Sequence, residues 1–76
     1  MQKEKFLELL DDLLNLPAGT LKGSDLLEAN DWSSVSALGL MALGDEQFNV
    51  LVEPSMLSKC RTVDDIVALF PDAIVA

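Results

Sequence analysis

The sequence predicts a small all-α bundle of three main helices plus one short helix, with a long loop after the first helix. A chain of 76 residues has room for a single domain, residues 1–76. Half of the residues are hydrophobic and 24% are charged, a composition typical of a folded globule. Apolar residues recur at helical spacing, and the one alternating run, Phe48, Val50 and Val52, has no second strand to pair with.

The first helix is predicted over residues 3–15. Its apolar residues follow the spacing of one helix face, at Phe6, Leu9, Leu10 and Leu13. Acidic residues cover most of the remaining surface, so the adjacent pair Asp11 and Asp12 is interpreted as solvated charge. Pro17 and Gly19 then end the helix.

Residues 16–31 are predicted to form a long loop. Leu21, Leu26 and Leu27 are expected to attach it to the core, with one short turn near residues 24–28. A loop of this length in so small a domain is often functional.

The central segment, residues 32–44, contains no charged residue and is predicted to be a helix. Asp31, Ser33 or Ser34 can cap its start, since each side chain can accept a hydrogen bond from an unpaired backbone N–H. Gly44 and then Asn49 are candidate ends. A helix that is apolar nearly all round is either central in a bundle or offers one face to a partner.

The last third predicts two further helical segments. Pro54 opens a short turn through Lys59, and Thr62 caps a helix that runs to Phe70 before Pro71. The core is expected to contain residues from all main helices, namely Phe6, Leu10, Leu38, Phe48, Val63 and Ile66.

Composition excludes several functions. The net charge of −8 argues against binding to nucleic acid, and the absence of His removes the commonest general base and metal ligand. Cys60, the single cysteine, is interpreted as a buried structural thiol, so neither a catalytic site nor a metal site is expected. With no membrane span or signal peptide in the sequence, the expectation is a monomeric cytoplasmic protein without catalytic activity.

The junction of loop and central helix carries a motif, Trp32-Ser33-Ser34-Val35. With the segments around it, this motif resembles the acyl carrier protein family, whose members place an Asp-Ser-Leu motif, often preceded by Trp, at the start of the second helix. Aligned on the motif without a gap, residues 38–43 follow the family's apolar second helix and Glu46-Gln47-Phe48 follows its Glu-x-Phe turn. Val52 follows its aliphatic position, and Thr62-Val63 follows the Thr-Val that opens its last helix.

The resemblance implies an acyl-carrier-like bundle in which Ser34 carries a covalent 4′-phosphopantetheine arm that holds an acyl or aminoacyl thioester. It also implies partners: a phosphopantetheinyl transferase, an acyl-loading ligase, and synthase enzymes of fatty acid or polyketide biosynthesis with basic docking surfaces. Residues expected to face the arm or these partners are Trp32, Ser33, Val35, Ser36, Met41, Asp45, Glu46 and Glu53. The sequence departs from the family at Ser33, where Asp is usual, and at Ser36 and Gly39, which are often acidic.

Physical arguments about the residues agree with an attachment site at Ser34. A serine at a helix N-terminus lies beside free N–H groups and the positive end of the helix dipole, which stabilise a phosphodiester. Between Lys22 and Lys59 there are acidic residues and no basic ones, a pattern that favours steering of basic partners.

Two alternatives stay open. One is an unmodified helical module that docks partners through residues 32–44. The presence of Ser33 in place of the family Asp keeps this alternative open. The other is an enzyme that uses Cys60.

Overall fold

The computed structural model describes residues 1–30 and 32–75, and in this part of the chain the all-α prediction is confirmed. Four α-helices are present: α1 (Lys3–Leu13), α2 (Ser34–Phe48), α3 (Pro54–Leu57) and α4 (Val63–Val67). One 3₁₀ turn, Glu28–Asn30, lies in the long loop between α1 and α2. Within the described residues, no helix is long and apolar enough to cross a membrane.

Helix α1 buries the predicted apolar stripe, with Phe6 and Leu10 at 0% and 1% exposure. It ends two residues before the predicted limit because Asn15 adopts a left-handed backbone, with φ of 60°, which no helix can continue. The prediction that Asp11 is a solvated charge is wrong. Asp11 is buried, because its carboxylate turns inward and accepts hydrogen bonds from Gly19 N and Leu21 N, both at 2.9 Å.

The long loop is held to the rest of the molecule in two places. Asp11 holds its first part, and residues 23–27 pair antiparallel with residues 61–64. Three hydrogen bonds form this second attachment: Leu27 N to Arg61 O at 2.9 Å, Val63 N to Asp25 O at 3.0 Å, and Asp64 N to Gly23 O at 2.9 Å. We call it the loop clasp.

The three leucines of the loop differ in burial. Leu21 and Leu27 are buried as predicted, whereas Leu26 is 47% exposed. The turn in this loop falls at Glu28–Asn30, which is later than the predicted residues 24–28.

Helix α2 continues four residues past Gly44 and ends where Asn49 takes a left-handed conformation, with φ of 54°. Its buried residues are Ser36, Leu40 and Gly44, which share one face at intervals of four. The prediction that Leu38 is a core residue is wrong, since it is 62% exposed. Position 38 lies two residues from both 36 and 40, so its side chain points away from that face.

Aromatic packing joins the helices. The Phe6 ring lies 6.0 Å from Phe48 and 5.7 Å from Phe70, and Phe48 lies 4.9 Å from Phe70, measured between centroids. Gly44 makes room for this cluster, since a Cβ there would lie 3.1 Å from the Phe70 ring. Phe48 is half-buried rather than buried, and it packs against the core.

The last third follows the predicted order with shorter helices. Val63 and Ile66 are fully buried, as predicted, and Thr62 caps α4 by accepting a hydrogen bond from Asp65 N. The α-helix stops at Val67, and the chain reaches Phe70 through turns. Residues 49–53 form no strand, in agreement with the prediction for the alternating run, and Val52 is buried.

Candidate functional site

Ser33 caps the N-terminus of α2. Its Oγ accepts a hydrogen bond from Ser36 N at 3.4 Å, and Ser36 Oγ accepts one from Ser33 N at 3.4 Å, which forms a capping box. Of the three caps proposed from the sequence, Ser33 is the one observed, while Asp31 lies outside the described residues. Ser36 is only 9% exposed because its side chain turns inward to this box. The prediction that Ser36 faces a partner is therefore wrong.

Ser34 is the first residue of α2 and its side chain is exposed. Among the described residues, its Oγ has no hydrogen-bond partner, and the N–H groups of Ser34 and Val35 have no acceptor. These two donors point out of the first turn of a 15-residue helix, where the dipole is positive. The arrangement suits an anion bonded to, or placed beside, the Ser34 hydroxyl.

Trp32 lies at the boundary between the loop and α2. Its N–H donates to Leu27 O at 3.3 Å, and its half-buried side chain packs against the core. Trp32 contributes to the lining of two surface cavities. One of them, here called the serine cleft, has a volume of about 350 Å³ and is lined by Trp32, Ser33, Ser34, Ala37, Pro54, Leu57 and Ser58.

The second cavity, here called the Cys60 cavity, has a volume of about 540 Å³. Its lining residues come from the loop and from the segment before α4: Leu26, Leu27, Glu28, Trp32, Cys60 and Arg61. The loop clasp brings these two segments together, since Leu27 N donates to Arg61 O. Apart from Trp32 and Cys60, the latter named in the enzyme alternative, the sequence indicates none of these side chains as site residues. No short-range spacing indicates them, because residues 26–28 and 60–61 meet only through tertiary pairing.

Cys60 is half-buried rather than buried, and its thiol donates to Met56 O at 3.5 Å. Burial, and to a lesser extent the negative charge of Asp65, raise the pKa of the Cys60 thiol above its ordinary value. A raised pKa lowers the thiolate fraction near neutral pH, which makes Cys60 a weak nucleophile. This disfavours the enzyme hypothesis based on Cys60.

The outward face of α2 is apolar and partly exposed. Val35 is 75% exposed and Leu38 is 62% exposed, and the two are neighbours at i and i+3. Met41 is half-buried and packs against the core, so only part of its side chain is accessible. An exposed pair of branched apolar residues beside Ser34 is suited to contact with another protein.

Three exposed carboxylates follow this face along the chain, and we call them the acidic set: Asp45, Glu46 and Glu53. Asp45 and Glu46 occupy the last turn of α2, which contains no basic residue. Negative charge at a helix C-terminus opposes the dipole and lowers helix stability. The placement of these two residues is therefore not explained by stability of the helix.

Comparison of the chain with models of known protein families, with curated proteins and with solved structures found no match. The functional conclusion accordingly depends on the chain's own residues and their geometry.

Proposed function

We propose that the chain is a carrier protein of the acyl carrier type, with a 4′-phosphopantetheine arm attached to Ser34. The arm holds an acyl or aminoacyl group as a thioester and presents it to separate enzymes, so the chain itself performs no catalysis. The observation that carries the proposal is the position of Ser34. It is an exposed hydroxyl on the first residue of α2, without a hydrogen-bond partner among the described residues, in the same order after Trp32 as in the family motif.

The departure at Ser33 is compatible with this role in structural terms. Ser and Asp are both among the preferred N-cap residues, because each offers a side-chain oxygen to the first backbone N–H groups. Ser33 accepts from Ser36 N in this way. The helix start that positions Ser34 is therefore retained without the family's Asp, although the negative charge is lost.

The α2 N-terminus provides the means to hold a phosphodiester. The N–H groups of Ser34 and Val35, which have no acceptor within residues 1–30 and 32–75, can donate to its oxygens, and the helix dipole adds favourable potential. A basic side chain is not required for this interaction.

Partner recognition is assigned to α2 and the residues that follow it. Basic surfaces of a phosphopantetheinyl transferase, an acyl-loading ligase and synthase enzymes approach the acidic set, which raises the association rate. Val35 then contributes apolar contact beside the arm. The proposed setting is the cytoplasm, in a biosynthetic pathway for fatty acids or polyketides, with the carrier acting as a monomer.

The test is co-expression with a broad-specificity phosphopantetheinyl transferase, followed by mass measurement of the intact protein and its peptides. We expect one arm, on Ser34. The Ser34→Ala variant is expected to fold and stay unmodified, while the matched Ser33→Ala variant is expected to accept the arm. An arm on Ser33, or on neither serine, would contradict the assignment.

The Ser33→Asp variant gives a second measurement at the same site. It restores the family motif and keeps a good helix cap, so we expect faster modification than in the parent. An unchanged or slower rate would show that Ser33 does not limit modification.

A second candidate function is an unmodified interaction module. The exposure of Val35 and Leu38 on one face of α2 favours it, since this apolar face needs no arm to bind a partner. Absence of the arm after co-expression, together with a folded protein, would favour the module.

A further inference from the structure

We propose that the Cys60 cavity binds a free α-amino acid with an apolar side chain, in its zwitterionic form. Glu28 holds the ammonium group of this ligand, Arg61 holds its carboxylate, and the apolar lining of the cavity contacts its side chain. The inference goes beyond the proposed function, because the site is complete whether or not Ser34 carries an arm.

The cavity has the size and the apolar lining for such a ligand. Its volume of about 540 Å³ lies in the range of small-molecule sites. Three of its lining residues are apolar: Leu26, Leu27 and Trp32. Leu26 is 47% exposed, so a ligand side chain that covers it removes apolar surface from water, which favours binding.

Two opposite charges line the same cavity. The carboxylate of Glu28 and the guanidinium of Arg61 are the charged groups among its described lining residues. Within residues 1–30 and 32–75, neither side chain makes a hydrogen bond, and the ion pair found within 4 Å joins Lys3 to Asp64 instead. Both groups can therefore bond to a ligand without first breaking a contact to another described residue.

The loop clasp holds the backbone on the two sides of the cavity before a ligand enters. Leu27, the residue before Glu28, donates its N–H to Arg61 O at 2.9 Å. The N–H of Arg61 donates to Asp65 Oδ2, also at 2.9 Å, and this bond uses the backbone and not the guanidinium. Because these segments are already fixed, binding requires little ordering of the protein.

A zwitterion matches this arrangement better than a ligand with a single charge. An anion is attracted by Arg61 and repelled by Glu28, and a cation meets the opposite balance. An α-amino acid can form a charge-assisted hydrogen bond with each group. Its two charges are attached to one carbon atom, which leaves the side chain to contact the leucines and Trp32.

The experiment uses L-phenylalanine as the probe and Ser34→Ala protein, which cannot accept the arm at this position. Trp32 and Cys60 are the one Trp and the one Cys of the chain, and both line the cavity. We expect a saturable change in Trp32 fluorescence and a parallel slowing of Cys60 alkylation by iodoacetamide, with half-saturation at about a few millimolar. No saturable response up to the solubility of L-phenylalanine would overturn the site.

Three analogues test the requirement for both charges. Phenethylamine keeps the ammonium group alone, 3-phenylpropionate keeps the carboxylate alone, and N-acetyl-L-phenylalanine amide carries neither charge. Each is expected to bind about tenfold or more weakly than L-phenylalanine, since each loses at least one hydrogen bond to a charged group. An analogue that binds as well as L-phenylalanine would overturn the zwitterion site.

Charge-removing variants in the same Ser34→Ala background assign the two groups. In Glu28→Gln, the preference for L-phenylalanine over 3-phenylpropionate is expected to disappear, because the ammonium loses its partner and the anion is no longer repelled. In Arg61→Gln, the preference over phenethylamine is expected to disappear for the corresponding reason.

Glu8→Gln and Lys59→Gln are the matched controls, since both residues are exposed and neither lines the cavity. They are expected to keep the preferences of the Ser34→Ala protein. A merely structural role of Glu28 or Arg61 would weaken all four ligands alike, so a uniform loss or unchanged preferences in their variants would overturn the proposal.

Discussion

Replacement of Asp11 by Asn tests whether a single buried carboxylate holds the long loop. Each Asp11 oxygen accepts one backbone hydrogen bond at 2.9 Å, Oδ2 from Gly19 N and Oδ1 from Leu21 N. An amide keeps one oxygen and replaces the other with an NH₂ group, which cannot accept. One of the two loop N–H groups therefore loses its partner and faces another donor.

The magnitude follows from burial. Asp11 is 1% exposed and the Leu21 bond is buried, so an orphaned donor there costs about 1–3 kcal/mol. Asp11→Ala removes both acceptors and leaves a cavity, which raises the expected cost to roughly 2–5 kcal/mol. A domain of this size has a total stability of roughly 4–11 kcal/mol. The Asn variant is accordingly expected to fold with reduced stability, and the Ala variant to lose a larger share of the total.

Urea unfolding followed by circular dichroism gives the free energy of unfolding of Asp11→Asn. Asp12→Asn is the matched control, since Asp12 is the exposed neighbour and the same change there is expected to cost less than about 0.5 kcal/mol. Amide hydrogen exchange adds a local readout, in which Gly19 and Leu21 exchange faster in the Asp11 variant. Equal free energies of unfolding for the two variants, with unchanged exchange at both amides, would refute the reasoning.

Three further predictions concern the core, pH and partner binding. Leu40→Ala is expected to lower the free energy of unfolding by about 2–5 kcal/mol, and Leu38→Ala by less than about 1 kcal/mol, because only Leu40 is buried. Similar losses of free energy for the two variants in urea unfolding would contradict this difference. N–H groups of Arg61 and Thr62 that donate to Asp65 hold the pKa of its carboxyl below its ordinary value of 3.8. The stability that this carboxylate contributes is present above pH 3.8 and is lost as pH falls through the lowered pKa. Urea titrations between pH 6 and 2 should therefore show a difference in the free energy of unfolding between the parent and Asp65→Asn that disappears in acid. A difference that stays constant with pH would contradict this prediction. Replacement of all three residues of the acidic set by Lys reverses their charge, and we expect it to slow arm attachment at low salt. The effect should be smaller at high salt, where the Debye length is shorter. Steady-state attachment rates equal to the parent's at low salt would exclude steering by these residues.

The sequence predicts those features of the fold that depend on local chemistry. The apolar stripe of α1 and the Thr62 cap of α4 are both present, because spacing and capping act within a few residues of chain. Local pattern does not decide which face of α2 is buried, since apolar residues lie nearly all round the helix. The pattern alone therefore favours Leu38 as a core residue, whereas the structure buries Ser36, Leu40 and Gly44.

The features that were missed depend on distant pairings. Asp11 lies among other acidic residues of α1, and nothing in its neighbourhood shows that two loop amides approach it. At the site, the positions of Ser33 and Ser34 at the start of α2 agree with the sequence. The Cys60 cavity could not be predicted, because it exists only where residues 26–28 meet residues 60–61.

The loop clasp also has a consequence for how the molecule opens and closes. Its three hydrogen bonds join residues 23–27 to residues 61–64, and the chain between these two segments includes all of α2 and α3. Forming the bonds therefore requires closure of a long loop. Contacts of this separation add to contact order and are expected to form late in folding, after α2 has formed from local contacts. We expect the amides of Leu27, Val63 and Asp64 to exchange together, because separation of the two segments breaks all three hydrogen bonds. A fluctuation that detaches the loop from the start of α4 is therefore expected to open the Cys60 cavity as well, since residues 26–28 and 60–61 line it from the two sides.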